Sequence, residues 1–579
     1  MKICDKISAS VTQTAVVILG LGLAGCGGGG GGGLTENLSP PAPVLATKSC
    51  ADLSGMVIPA ASIGLPTTGA TVTSATVVAA AGAGNAAVDE YCKVLADISP
   101  IDATAPKIKF QLNLPVSWNT KAMMFGGGGF DGSIPAVGGN VGIGPADKKT
   151  PLQRGYATFG SDSGHQAGAL GSQDHSFGLN DEAARNFGGD AIKKTHDAAV
   201  AIISARYGAS PTKSYFQGGS TGGREALAAI QRWPADWNGA IALYPAWNDA
   251  GALLFGHKVN RALAAPGAYP NQAKRRVVYD AAMAACDSLD GVVDGLISNQ
   301  TACNVKFNPD VVRCAGGADT GNTCLSDAQI SALNVMNGNG LTGGAVFNFP
   351  LASGLQSYPG YNVWGADLGM ASASPLQPTI TFLALGTVQP SWPTPASGTP
   401  YLTPFLDQFI NFAVMRNPSL SANPLLLDPE NPGPWAGRLS QLSTQLDTGT
   451  DISAFVARGG KLLLAHGKQD VLVSTRATEW YYQKLQSQFG PAQVDNFARY
   501  YEIPGLGHAV STAFNPGWDS VTALEDWVEK GNAPVNQVMT DGAGVPGRTR
   551  PLCPYPTFAK YKGNSLDVNL ASSFTCANS

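Results

Sequence analysis

The stretch SYFQGGSTGGREALAAIQRW, residues 214–233, decides the fold. A short run of aromatic and small residues leads into G-G-S-T-G-G, and a helix-forming segment follows. Gly218 and Gly222 bracket Ser220 in a G-x-S-x-G pattern. That layout belongs to a sharp strand-to-helix turn, where a serine is held up for attack and glycines let neighbouring backbone come close. The bland alternative is a small residue in a glycine-rich turn, because the chain holds 71 glycines and chance matches arise. The strand–turn–helix context favours a nucleophile.

Working outward, the region from about 50 to 250 has βαβ rhythm. KIKFQLNLPVSW, KAMMF, YATFGSDSG, KSYFQGG and NGAIALYPAW read as strands, and AIKKTHDAAVAIISARYG reads as a helix stopped at Gly208. Between about 250 and 450 the rhythm breaks into Pro-, Ser- and Gly-rich sequence with four cysteines. It resumes with the helix, turn and strand of DISAFVARGGKLLLAHGKQD. STRATEWYYQKLQSQFG (helix), FARYYEIPGLGHA (strand and loop) and SVTALEDWVEKGNAP (helix) complete it. A sheet interrupted and then completed predicts an α/β-hydrolase core, mostly parallel, with helices on both faces and a large inserted lid. The expected catalytic domain is 49–248 with 450–579, and the lid is 249–449.

This fold needs an acid and then a histidine after the serine. Of six histidines, His257, His466 and His508 follow Ser220. His257 has no strand end beside it. His466 lies inside KLLLAHG, where a structural role suffices. His508 sits in the glycine-flanked loop PGLGHA and is the candidate base. Asp470 ends its strand and is the candidate acid; capping of the next helix is its other reading. In this reading His508 takes the Ser220 proton as the hydroxyl attacks an ester carbonyl, and Asp470 fixes the imidazole. Oxyanion donors are expected from Thr221 and from the glycine run FGGGGFDGS, residues 125–133.

Charged residues are only 13% of the chain and the net charge is −4, so no basic face suggests nucleic acid. Lysines, an apolar run and LAGC ending at Cys26 read as a lipoprotein-type signal over 1–25. An ordinary cleaved signal with an incidental cysteine is the alternative. A Gly/Pro-rich linker follows over 26–48. Setting Cys4 and Cys26 aside leaves eight of ten cysteines: Cys50, Cys92, Cys286, Cys303, Cys314, Cys324, Cys553 and Cys576. An even number in an exported chain implies disulfides, with 105 pairings open. Zinc is the rival reading, and the absence of C-x-x-C speaks against it.

With these elements in place, the chain resembles the tannase and feruloyl esterase family from about Cys50 to the C-terminus. KSYFQGGSTGGREAL, CDSLDGVVDGLISNQTAC, GGKLLLAHGKQD, YEIPGLGH and RTRPLCPYPTFAKYKG carry the resemblance. It implies a Ser220–Asp470–His508 triad, with Gly129 and Thr221 as oxyanion donors. It implies disulfides Cys50–Cys92, Cys286–Cys303, Cys314–Cys324 and Cys553–Cys576. It also implies structural calcium held by Asp287, Asp290 and Asp294 and by the carbonyls of Val292 and Leu296. Three carboxylates so close in sequence suit a hard cation on physical grounds also, and a metal-free capped turn is the alternative.

Two departures stand out. Most of the family joins a cysteine before the serine to one after the histidine, and here those positions are Gly219 and Ala509. Restoring both is expected to add stability if Cβ geometry permits a bond. The branch that cleaves terephthalate monoesters carries a lid arginine for the free carboxylate, for which Arg416 is the one weak candidate. The expected function is hydrolysis of aromatic esters (hydroxycinnamate, gallate or phthalate type) by an exported or lipid-anchored monomer. Its expected partners are a small ester and, through the lipid alone, a membrane. A non-catalytic binding lipoprotein and an acyltransferase with the same acyl-enzyme are the alternatives.

Overall fold

A computed structural model of the chain describes residues 43–338 and 344–579. The signal segment, Cys26 and the linker up to residue 42 lie outside the described residues. Among the described residues, no helix is long and apolar enough to cross a membrane.

Ten strands form the central sheet. In chain order they are β1 (Val57–Ile58), β2 (Gly69–Val78), β3 (Tyr91–Ser99), β4 (Ile108–Pro115), β5 (Lys121–Phe125), β6 (Ala157–Ser161), β7 (Lys213–Gly219), β8 (Gly239–Leu243), β9 (Lys461–Gly467) and β10 (Ala498–Ile503). Across the sheet they run β10-β9-β8-β7-β5-β6-β4-β3-β2-β1. From β10 to β6 every neighbour is parallel. From β6 to β1 every pairing is antiparallel. The βα rhythm therefore describes the parallel half of the sheet. The other half is a meander whose strands alternate, as Cys92, Val94, Ala96 and Ile98 do on the inner face of β3.

Helices cover both faces of the parallel half. Successive strand residues point to opposite sides, so Phe216, Ala240 and Leu462 join one core and Tyr215, Ile241 and Leu463 another. On the first face lie α1 (Ala191–Tyr207), α2 (Thr221–Arg232) and part of α6 (Thr475–Phe489). On the second lies α7 (Ser520–Lys530), through Val521, Leu524 and Trp527. Gly208 ends α1 in the left-handed conformation, as expected of a C-terminal stop.

Between β8 and β9, which pair in register, the chain makes its long excursion. That excursion includes α3 (Asp249–Ala264), α4 (Gln272–Cys286) and α5 (Leu402–Gln408). A separate apolar cluster holds it together, with Leu253, Phe255, Leu333, Tyr358 and Leu406 against Leu472 and Ala477. Four disulfides join Cys50–Cys92, Cys286–Cys303, Cys314–Cys324 and Cys553–Cys576, the pairings implied by the family resemblance.

The turn after β7 explains its glycines. Ser220 lies at φ 59° and ψ −123°, a strained conformation for a residue with a side chain. A Cβ on Gly218 would stand 2.5 Å from the backbone of Gly222, and one on Gly222 would stand 2.8 Å from the Gly127 carbonyl. Both glycines are required by close backbone contact. Gly218→Ala is therefore expected to lower stability by about 1–3 kcal/mol in urea melts. Gly437, exposed in the helix Ala436–Leu446 with open space around it, supplies the control. Gly437→Ala should be neutral or gain up to ~1 kcal/mol. Equal effects from the two substitutions would contradict the packing argument.

Candidate active site

At the C-terminal edge of the parallel strands, three side chains meet. His508 Nε2 is 3.2 Å from Ser220 Oγ, and His508 Nδ1 is 2.7 Å from Asp470 Oδ2. Ser220 follows β7, Asp470 follows β9 and His508 follows β10. A carboxylate only accepts, so Nδ1 carries the proton and Nε2 is free to accept from the serine hydroxyl. The structure brings these three sequence candidates together as neighbours.

Asp470 is fully buried. Its Oδ1 accepts the backbone N–H groups of Leu472 at 2.8 Å and Val473 at 3.0 Å. Its Oδ2 also faces His466 Nε2 at 3.2 Å. Burial alone would raise this carboxyl. The opposing influence of His508 and His466, through charge and hydrogen bonds, holds it well below the ordinary carboxylate range. His466 is thus more than a core histidine. Its Nε2 faces two acceptors, Asp470 and the Val473 carbonyl at 3.1 Å, so that nitrogen must donate. Thr478 Oγ1 sits 2.9 Å from Nδ1 and can supply the matching proton. The four-residue spacing from His466 to Asp470 was the available sequence signal.

The glycine run meets the start of α2. Thr221 Oγ1 donates to the Gly129 carbonyl at 2.6 Å, tying the run to the turn that carries Ser220. Glu225 Oε2 accepts the Gly127 N–H at 3.0 Å, and Oε1 accepts the Ser163 hydroxyl at 3.1 Å. Asp131 is buried beside Glu225. Burial first, and then the Glu225 charge, pushes the Asp131 carboxyl up. Gly129 has φ 61°, and a Cβ would strike the Tyr401 hydroxyl at 2.3 Å. The Gly129 N–H meets no backbone acceptor among the described residues. Thr221 is the first residue of α2, where the N–H has no partner within the helix. Both donors border the same cavity as Ser220 and His508.

That cavity measures about 430 Å³, within the range of small-molecule sites. Leu253, Phe382, Tyr401, Leu402 and Phe405 supply apolar wall. Arg416 does not reach it. Its guanidinium pairs with Asp181 at 2.6 Å on the surface.

Tyr244 occupies the place of the missing bridge. A Cβ on Gly219 would stand 2.5 Å from the Tyr244 ring. The ring lies 4.9 Å from that of His508 at 63°, an edge contact that supports the imidazole from the side a disulfide would otherwise brace. The expectation that two restored cysteines would stabilise this chain therefore fails on sterics.

At the acidic loop after α4, Asp287 accepts the N–H groups of Asp294 and Gly295, and Asp290 accepts those of Val292 and Ser298. Burial is the main reason Asp290 is pushed up to about 7. The carbonyls of Val292 and Leu296 accept no backbone hydrogen bond among the described residues. This all-oxygen set fits a hard cation. Arg550 pairs with Asp294 and offsets part of the charge. The carboxylates are not tightly gathered. Among the described residues only His196, Asp197 and Asp236 bring three such ligand atoms within 4.8 Å, and Lys193 Nζ already lies 2.8 Å from both aspartates.

Comparison with known proteins agrees with this architecture. The pattern of the tannase and feruloyl esterase family matches residues 92–577. An uncharacterized esterase of Agrobacterium fabrum is 38% identical, covering 93% of this chain and 94% of the other. The mono(2-hydroxyethyl) terephthalate hydrolase of Piscinibacter sakaiensis is 31% identical, covering 86% and 87%. The crystal structure of feruloyl esterase B from Aspergillus oryzae has the same fold, with TM-score 0.69 at 21% identity, covering 91% of this chain and 100% of that one.

The Tyr244 contact yields a prediction. Gly219→Cys with Ala509→Cys should leave two free thiols by titration and lower the melting midpoint, since the new atoms overlap the ring. Adding Tyr244→Ala should open room for the bond. A disulfide formed with Tyr244 intact would show that the ring is not the obstacle.

Proposed function

The chain belongs to the tannase and feruloyl esterase family of carboxylic ester hydrolases, and on that premise we propose that it cleaves aromatic esters through a serine acyl-enzyme. Ser220 attacks the ester carbonyl while His508 Nε2 takes its proton. Asp470 keeps the proton on Nδ1 and stabilises the imidazolium. The oxyanion receives the N–H groups of Gly129 and Thr221; losing one such donor typically costs ~3–4 kcal/mol of transition-state stabilisation. The same imidazolium protonates the departing alcohol. Water, activated by His508, then releases the acid and restores Ser220.

The single observation carrying this reading is the hydrogen-bonded line from Ser220 through His508 to Asp470. Aromatic substrates are favoured by the apolar wall of Tyr401, Phe405 and Phe382. Neutral esters are favoured over those with a free carboxylate, because no lysine or arginine borders the cavity among the described residues. The names of relatives point the same way, since they include tannase and feruloyl esterases. The four disulfides fit an oxidising compartment. A lipid on Cys26 with the linker behind it would hold the enzyme at a membrane surface. Segment 249–449 acts as the lid in this reading.

Ser220→Ala should lower kcat/KM for methyl ferulate or methyl gallate by at least roughly 10³-fold. The melting midpoint should stay unchanged, because little packing is removed. Retained activity in clean protein would contradict the assignment of the nucleophile.

Calcium is proposed as structural, held by Asp287, Asp290 and Asp294 with the Val292 and Leu296 carbonyls. A cation bound only by the folded chain stabilises it. Calcium should therefore raise the melting midpoint, chelation should lower it, and Asp294→Asn should abolish the difference. Protein purified without chelator that holds no calcium, and melts identically with and without it, would contradict the site.

A further inference from the structure

Among the described residues, the cavity wall contains one carboxyl group, and the triad chemistry leaves it unused. Asp249 is the first residue of α3, directly after the turn that follows β8, and it borders the same cavity as Ser220 and His508. It is only 7% exposed. Among the described residues, its carboxyl accepts no hydrogen bond. Yet its oxygens are not sealed in protein, unlike the orphaned buried oxygens of Asp131. The cavity is the opening that Asp249 lines.

Among the described residues, none of its charged neighbours is hydrogen-bonded to it. Arg224 gives Nη1–H to the Leu446 carbonyl at 3.3 Å and Nη2–H to the Phe187 carbonyl at 3.0 Å, its Nε has no partner, and only its field reaches Asp249. Asp447 is held by the N–H groups of Ala250 at 2.9 Å and Ser353 at 3.2 Å. The Tyr358 phenol oxygen accepts the Ser474 N–H at 3.2 Å. Burial pushes Asp249 up to about 6, with Arg224 opposing. Near neutral pH it is mostly ionised and can only accept. A buried carboxylate without a hydrogen-bond donor is destabilising, and the field of Arg224 relieves it only in part. A favourable first-turn position on the helix accounts for part of its tolerance, but not for an oxygen facing the cavity.

We propose that Asp249 is a specificity-determining residue that accepts a hydrogen bond from a hydroxyl of the bound ester and disfavours a substrate carboxylate. This rests on the ester-hydrolase reading above and narrows it. The same chemistry fits a phenolic hydroxyl on the acid part or an alkyl hydroxyl on the alcohol part. A site built around a hydroxyl discriminates strongly against the analogue that lacks it, because its acceptor is then left unpaired.

The test uses the full chain and two ester pairs. Methyl ferulate against methyl 3,4-dimethoxycinnamate removes the acid-side hydroxyl. Hydroxyethyl benzoate against methoxyethyl benzoate removes the alcohol-side hydroxyl. The wild type should favour the free hydroxyl in one pair by roughly tenfold or more in kcat/KM, and that pair identifies the source. Asp249→Leu should erase this preference and raise the relative rate on monomethyl terephthalate. Asp249→Asn keeps the size and one acceptor oxygen and should retain part of the preference; it carries the test if the leucine variant does not fold. No preference in either pair, or the same preference in the variants, would overturn the proposal while leaving the esterase reading intact. Inactivity of the wild type on all four esters would overturn that reading and the proposal with it.

Discussion

A buried negative charge on Asp470 is the constraint around which the site is arranged. An isolated carboxylate cannot be kept ionised in an apolar interior. Here its two oxygens face two backbone N–H groups and two imidazoles. The backbone pair comes from Leu472 and Val473, so the turn leaving β9 is shaped by the charge it carries. The imidazole pair comes from β9 itself and from the loop after β10. Neighbouring parallel strands therefore converge on one carboxylate, and the direction of the His508 ring follows from it.

A second constraint acts from the opposite side. The turn at Ser220 lies so close to the glycine run that side chains are excluded at their contact. Thr221 and Glu225, both on α2, then bond to that run. Ser220 and the expected oxyanion donors thus belong to one packed unit. Preorganised donors of this kind need no rearrangement when charge develops. Tyr244 completes the frame by packing edge-on against His508 beside Gly219.

The parts legible in the sequence were those written in local pattern. Strand β7, the G-x-S-x-G turn and α2 are contiguous, and the order of serine, acid and histidine follows from the topology. The N-terminal meander was less legible because β2 places alanine, threonine and serine along its partly exposed face, which blurs the alternation. Helix α3 was obscured for the opposite reason: Leu253, Leu254, Phe255 and Val259 are buried on several sides, so no polar face marks its period. His466, Tyr244 and Asp249 were not singled out because their places beside Asp470, His508 and the cavity are set by the packed fold. A histidine within a strand looks structural until a second carboxylate contact is seen. The loss of the cysteine pair was readable, but the tyrosine filling its place was not.

The central claim is that Ser220 forms the covalent intermediate. Peptide mapping by mass spectrometry after treatment with an aryl phosphonate tests it most directly. The account predicts one adduct, on the peptide containing Ser220, formed in step with loss of esterase activity and absent when His508 is replaced by alanine. Complete inactivation with Ser220 unmodified, or an adduct on another hydroxyl, would contradict it.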